Sequence, residues 1–198
     1  MLKTKKSKDP VMDSEFIIEN AILKAYNGSE KTVQVPDGVT SVGGFVSEED
    51  KEKDFLCADL GLAYKAFYDC KTIEEVILPD SVEKIGLKAF QGCEKLRTIM
   101  FPSGLKTVGI CALLNCDSFK TIIYRGSIYE FCLIDFEPHQ GLELNEVICS
   151  DGKIDFRNEY YIEVLNFPGT REEWDTISGN ENLKWLKRRA KKTICVDD

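Results

Sequence analysis

The stretch IEEVILPDSVEKIGLKAFQGCEKL, Ile73–Leu96, returns at a shift of 23 in residue number as LRTIMFPSGLKTVGICALLNCDSF, Leu96–Phe119. Ile73 falls on Leu96 and then on Phe119, Val76 on Ile99 and Ile122, and Pro79 on Pro102. Val82 falls on Leu105, Ile85-Gly86 on Val108-Gly109, and Ala89-Phe90 on Ala112-Leu113. A fixed period in this range marks a solenoid, in which each repeat makes one coil and buries its apolar face only against its neighbours. Within a coil, LRTIMF turns Leu96, Ile99 and Phe101 inward and Thr98 and Met100 outward, the alternation of a strand with one irregular step. Proline ends its hydrogen bonding. LKTVG is a shorter second strand, closed by a glycine that can carry the backbone through a tight bend. The AFxxC segment follows as a turn with Ala and Phe inside.

Cys70, Cys93 and Cys116 occupy one position in three successive coils. Parallel stacking holds their Cβ atoms near the coil spacing of ~4.8 Å, beyond the ~3.8 Å typical of a disulfide. The recurring cysteine therefore reads as a small packing residue that can donate a weak S–H bond to a backbone carbonyl. An earlier coil shows at Val33–Gly44, VQVPDGVTSVGG, but its proline, Pro36, lies 43 residues before Pro79, one period plus 20. Because LAYKAF at 62–67 aligns with IGLKAF at 85–90, residues 47–70 are read as a shortened, degenerate coil. The alternative is an inserted acidic helix over SEEDKEKD, with Ser47 as its N-cap.

The pattern Leu-x-x-Ile-x-Ile-Pro-x-x-Val-x-x-Ile-Gly-x-x-Ala-Phe-x-x-Cys, followed almost throughout by residues 73–96, resembles the BspA-type, or treponemal-type, leucine-rich repeat. FIIENAILKAYNGSEKTVQVPDGVTSVG resembles the hairpin that often opens such arrays, and FPGTREEWDTI the short helix that often closes them. Leu113 stands in place of the Phe, Arg125-Gly126 where a fourth proline is expected, and the repeat dissolves after Tyr124. The resemblance implies a strand-rich leucine-rich-repeat solenoid of the α/β class, with right-handed coils of about 23 residues and caps at both ends. The expected organisation is a flexible tail over 1–13, a cap hairpin and first coil over 14–46, repeat coils over 47–124, the first of them degenerate, and a C-terminal cap over 125–198. In that cap EVICSDGKIDF reads as strand, Asp-Gly turn and strand, and YIEVLNF as a further strand before Pro168. Thr170 with Glu173 three residues on forms a capping box, after which Trp174 and Ile177 face the core.

The 198 residues are 43% apolar and 30% charged, an ordinary globular composition long enough to bury a core. A net charge of −8 repels phosphate backbones, which argues against nucleic acid and anionic membrane as partners. The basic runs KTKKSK at 3–8 and KRRAKK at 187–192 read as a polar tail and as a solvated helix face whose cations complement the helix C-terminus. No apolar run approaches the ~20 residues of a membrane span. No secretory h-region precedes residue 16, so a cytoplasmic location with reduced thiols is expected, and the cell surface is the alternative the resemblance implies.

Little in the chain suggests catalysis. His139, the single histidine, sits in the loop-like EPHQG with no acid or nucleophile at recognisable spacing. A hydrolase or metal enzyme around it is a remote alternative, and no catalytic residue, metal site or cofactor is expected. The informative feature is the outward side of the first strands. There Glu75, Thr98 and Thr121 form one row and Ile77, Met100 and Ile123 the next, where such repeats usually place a small polar residue. The apolar row reads either as a docking surface for a protein partner or as β-propensity, or as a stripe covered by the C-terminal segment. The expected function is a non-enzymatic protein-interaction module using these six residues. The alternative is self-assembly into a homo-oligomer through Ile77, Met100 and Ile123.

Overall fold

The computed structural model describes residues 15–44, 66–137, 140–157, 162–176, 187–188 and 190–198. Two six-stranded sheets form the sides of a solenoid. The longer first strands of the coils are β3 (Thr32–Gln34), β5 (Glu75–Ile77), β7 (Thr98–Phe101), β9 (Thr121–Tyr124) and β11 (Glu146–Cys149), and all pair in parallel. The second strands β4 (Ser41–Val42), β6 (Lys84–Ile85), β8 (Thr107–Val108) and β10 (Asp135–Phe136) form a parallel ladder of their own. Hairpins flank both ladders. β1 (Phe16–Glu19) and β2 (Ile22–Tyr26) extend the second ladder beyond β4, while β12 (Gly152–Asp155) folds back antiparallel on β11. Beyond them lie β13 (Ile162–Asn166), α2 (Arg171–Thr176) and β14 (Ala190–Ile194), with β13 and β14 paired in parallel.

Register explains why like residues stack. Glu75 is opposite Thr98 and Thr98 opposite Thr121, the same shift seen in the sequence. Val76, Ile99 and Ile122 therefore superpose inside the coil, each fully buried, as do Ile73, Leu96 and Phe119. The same stacking acts at the corners. Phe67 lies flat on Phe90 with ring centroids 4.9 Å apart, and the column continues through Tyr26 to Phe16 of the opening hairpin at 5.2 and 5.1 Å. Cys93 and Cys116 donate their S–H to the carbonyls of Phe67 and Phe90 at 3.0 and 3.1 Å, the weak bond expected of that position. The neighbouring Cys116 thiol and burial push the Cys93 thiol far up, so it remains a protonated donor. The seven described cysteines are all free thiols.

Three sequence expectations need correction. β3 pairs directly with β5 and β4 with β6, so no coil intervenes between Val33 and Val76. Ala66 and Phe67 instead supply the corner of the first coil, with the Phe67 amide donating to Ala89. Residues 66–70 thus belong to the first coil and not to a separate one, and residues 45–65 lie outside the described residues. The acidic segment from Ser47 lies outside the described residues.

The coils also do not stop at Tyr124. β10 adds to β8 and β11 to β9, and Ile128, fully buried, occupies the place of Val82 and Leu105. Between these strands the chain forms α1 (Ile128–Cys132), capped by Ser127 and Glu130 in a reciprocal box. The added helical turn shifts the next strand, so that Thr121 meets Glu146, two positions later than the repeat period would place its partner. That offset hides the coil from a comparison at fixed period.

The third correction concerns the glycines. Gly43 has φ +78°, but neither Gly86 nor Gly109 has a positive φ. Close approach is what demands glycine at the latter two: a Cβ on Gly86 would lie 2.3 Å from the Gly44 carbonyl oxygen, and one on Gly109 would lie 2.9 Å from the Gly86 carbonyl carbon. The atoms in the way are backbone and cannot rotate aside. Gly109→Ala is accordingly expected to lower unfolding stability by about 2 kcal/mol, as overpacking does in cores, read from the urea midpoint at unchanged slope. A variant as stable as the parent would refute the close-packing account.

Candidate interaction surface

The outward side of the larger sheet carries two rows of side chains fixed by register. One row runs Thr32, Glu75, Thr98, Thr121, Glu146 and Asp155, the other Gln34, Ile77, Met100, Ile123, Ile148 and Lys153. Strand pleat turns both rows out because Val33, Val76, Ile99, Ile122 and Val147 between them point inward and are buried. All six residues singled out in the sequence thus lie on one face. Each of the six is half-buried, and Ile148, 39% exposed, adds a fourth apolar member. At ~4.8 Å per strand the four side chains span roughly 14 Å. Among the described residues the stripe is not sealed beneath the C-terminal half.

Polar groups border the stripe. Arg125, at the position held by proline in the preceding coils, folds its guanidinium back over it. Nη2 lies 3.3 Å from the Met100 Sδ, and Nη1 pairs with Asp80. At the β12 end Arg157 grips Asp155 with two parallel bonds, Nε to Oδ1 at 3.1 Å and Nη2 to Oδ2 at 2.9 Å, while Lys153 reaches Glu146 at 3.4 Å. At the β3 end the Thr32 hydroxyl donates to Glu75 at 3.4 Å. The arrangement offers apolar contact with polar margins, which suits a protein surface.

Sequence reasoning missed Ile148 and the Glu146–Asp155–Lys153–Arg157 network, and it placed Arg125 at the proline position without its contacts to Met100 and Asp80. The Asp-Gly turn of EVICSDGKIDF pointed to this hairpin, but only the altered offset between β9 and β11 places Ile148 in the stripe. The capping box at Thr170 forms as expected: the Thr170 amide donates to Glu173 at 2.7 Å and the Glu173 amide to the Thr170 hydroxyl at 3.2 Å, with Trp174 buried. Ile177 and His139 lie outside the described residues. KRRAKK is not one helix face, because Ala190–Lys192 enter β14. Its first lysine does complement a helix end: Lys187 donates to the Trp174 and Asp175 carbonyls of α2, both at 2.9 Å. Among the described residues no helix is long and apolar enough to cross a membrane.

The description BspA type leucine-rich repeat region, in 6 copies, matches residues 62–178. The chain belongs to the BspA-type leucine-rich repeat family. Its match takes in the corner at Ala66 and Phe67 and runs through α2, so it includes the coil beyond Tyr124. No curated protein matches. Among solved structures, the leucine-rich repeat protein of T. pallidum is 20% identical, with 88% of this chain and 75% of that chain covered and a TM-score of 0.41. A leucine-rich cell surface protein of Faecalibacterium prausnitzii is 18% identical, with 83% of this chain and 41% of that chain covered and a TM-score of 0.39. Members of this repeat family are generally not enzymes, and the family points to an interaction or structural module.

Within the BspA-type sheet the Asp155–Arg157 clasp makes a titratable marker. The bidentate guanidinium holds the Asp155 carboxyl down to about 2, against an ordinary 3.8. A lowered folded pKa means that the clasp favours the folded state above pH ~4 and loses that contribution as pH falls through about 2. An NMR titration should place the Asp155 midpoint near 2, and Arg157→Ala should return it to the usual ~4. An unchanged midpoint in the variant would exclude the clasp as the cause.

Proposed function

We propose that this chain is a non-enzymatic protein-interaction module that docks a protein partner on the outward face of the larger sheet. The observation that carries this reading is the in-register stripe Ile77, Met100, Ile123 and Ile148, partly open to solvent on a rigid sheet. Thr98, Thr121 and Glu75 border it on one side and Arg125 on the other. Ile77, Met100 and Ile123 supply apolar area, and the threonines supply hydrogen-bonding groups whose branched side chains are already restrained by the strand. The β1–β2 hairpin, and the β11–β12 hairpin with the segment up to α2, serve in this reading as caps that close the ends of a right-handed solenoid. The seven free thiols accord with a reducing compartment, the cytoplasm, and the cell surface stands as the family-based alternative.

The test is affinity capture with the wild type and with an Ile77→Lys, Met100→Lys double variant. These side chains are half-exposed, so the variant should keep the parental melting temperature within a few degrees while burying two charges in any complex. A partner bound through the stripe should be retained by the wild type and lost, by tenfold or more in Kd, by the folded variant. Equal retention by both proteins would place the partner elsewhere or remove it.

A further inference from the structure

The sequence holds a single Asn-Gly pair, Asn27-Gly28, in the link between β2 and β3. Packing imposes the glycine. A Cβ there would lie 2.3 Å from the Tyr26 hydroxyl oxygen and 2.5 Å from the ring carbon that bears it. That ring cannot give way, because it is wedged between Phe16 and Phe67 and its hydroxyl accepts from the Glu30 amide at 3.3 Å. The asparagine is left unprotected. Asn27 is exposed and lies outside helix and strand, and among the described residues neither its carboxamide nor the Gly28 amide makes a hydrogen bond. Without a Cβ on residue 28, no side chain hinders the approach of that amide nitrogen to the Asn27 carboxamide. Asp37-Gly38 and Asp151-Gly152 carry carboxylates, poorer electrophiles than a carboxamide, and Asp151 is in addition tied to the Ile128 amide at 2.8 Å.

From this geometry we propose that Asn27 is a modification site. It converts in water to aspartate and isoaspartate, the change loosens the opening hairpin, and the isoaspartate form is a substrate for an isoaspartyl carboxyl methyltransferase. The Gly28 amide nitrogen, its proton taken by hydroxide, attacks Asn27 Cγ. An N–Cγ bond forms, the Cγ–Nδ2 bond breaks and ammonia leaves, giving a succinimide ring. Water then opens the ring. Cleavage at the N–Cγ bond gives aspartate, and cleavage between that nitrogen and the main-chain carbonyl carbon of residue 27 gives isoaspartate, whose main chain runs through Cβ and Cγ. Neither step needs an oxidant or a cofactor. Both products add a negative charge, and isoaspartate also lengthens the main chain by one methylene in the link that joins the hairpin to the first coil. The hairpin is anchored at this point: the Tyr26 amide donates to the Ala66 carbonyl at 2.8 Å and the Asn27 amide to the Glu15 carbonyl at 2.7 Å. None of the stripe residues takes part, so this modification and docking of a partner on the sheet face stand or fall independently.

The experiment is incubation of the full chain at mildly alkaline pH, with Asn27→Gln as the control and the free peptide AYNGSE, residues 25–30, as the rate standard. The Asn27 side chain is exposed, and circular dichroism melts establish that the variant folds. Ammonia release and peptide mapping should show one acid formed per chain, at residue 27, at a rate that rises with hydroxide. The rate should stay within about tenfold of the peptide's, because local opening of an exposed link outside regular structure costs little. The aged wild type should accept a methyl group from labelled S-adenosylmethionine and the methyltransferase, and aged Asn27→Gln should not. Amide hydrogen exchange over Phe16–Tyr26 should be faster in the aged wild type than in the fresh chain. No reaction at residue 27 while the peptide converts fully would overturn the proposal, as would equal ammonia release from wild type and Asn27→Gln. Equal methyl acceptance by both aged proteins would assign the isoaspartate to Asp37 or Asp151 and would equally overturn it. An aged chain whose hairpin exchanges as slowly as the fresh one would overturn the loosening.

Discussion

Parallel, in-register pairing between successive coils is the constraint on which the rest of the structure depends. Every strand in the two ladders must satisfy its backbone groups on the coils before and after it, at ~4.8 Å, and only one register does so for both ladders at once. Once Glu75 is opposite Thr98, and Lys84 opposite Thr107, every other position of the coil is superposed on its counterpart. Small residues must then face small residues, which is why Gly86 and Gly109 cannot carry a Cβ. Rings face rings, as Phe67 and Phe90 do. Charges must face opposite charges or separate. Lys71 reaches Glu94 at 2.7 Å, Lys106 reaches Glu83 at 2.9 Å and Lys120 reaches Glu143 at 3.5 Å, each pair one repeat period apart. Such exposed pairs contribute only ~0–1 kcal/mol each, so their part is to disfavour wrong registers more than to hold the right one.

A ladder of this kind has to end, and the chain ends it with side chains where no further backbone is available. At the corners each coil donates to the next: Phe67 to Ala89, then Phe90 to Ala112. The equivalent amide of the third coil, Leu113, donates instead to the Gln140 side chain at 3.2 Å, and the Ile110 amide to Glu137 at 3.0 Å. Gln140 returns its own amide hydrogens to the Gly109 and Glu137 carbonyls. The corner is thereby closed off while β10 and β11 still continue the two sheets. Decoupling one side of the coil in this way lets α1 replace the proline-led turn without breaking the sheet that carries the stripe.

The corners also show how a local signal can be present and still go unread. Asp69, Gly92 and Asn115 stand at one position, just before the recurring cysteine, and have φ of +59°, +78° and +59°. These are the residue types that tolerate left-handed backbone, so the D-C, G-C and N-C pairs mark the corner as strongly as the cysteine does. Lys88 and Cys111 share another such position at φ +54° with no compositional hint, because the stacked backbone imposes that conformation whatever the side chain. The candidate surface divides in the same way. Ile77, Met100 and Ile123 were legible from alternation and period alone, whereas Ile148 lies beyond a change of spacing that only strand pairing resolves.

What the sequence determined by itself is everything that repeats. A fixed period of apolar, proline, glycine and cysteine positions leaves one way to bury the apolar set, and strand alternation then decides which residues face out. Single-copy features have no such internal comparison. The long spacing between Pro36 and Pro79 admitted an extra coil until β3 was found against β5, and the break after Tyr124 resembled an end until β11 was found against β9. Only the tertiary structure settled these, because pairing between strands far apart in sequence depends on which backbone edges remain open once the local elements have formed.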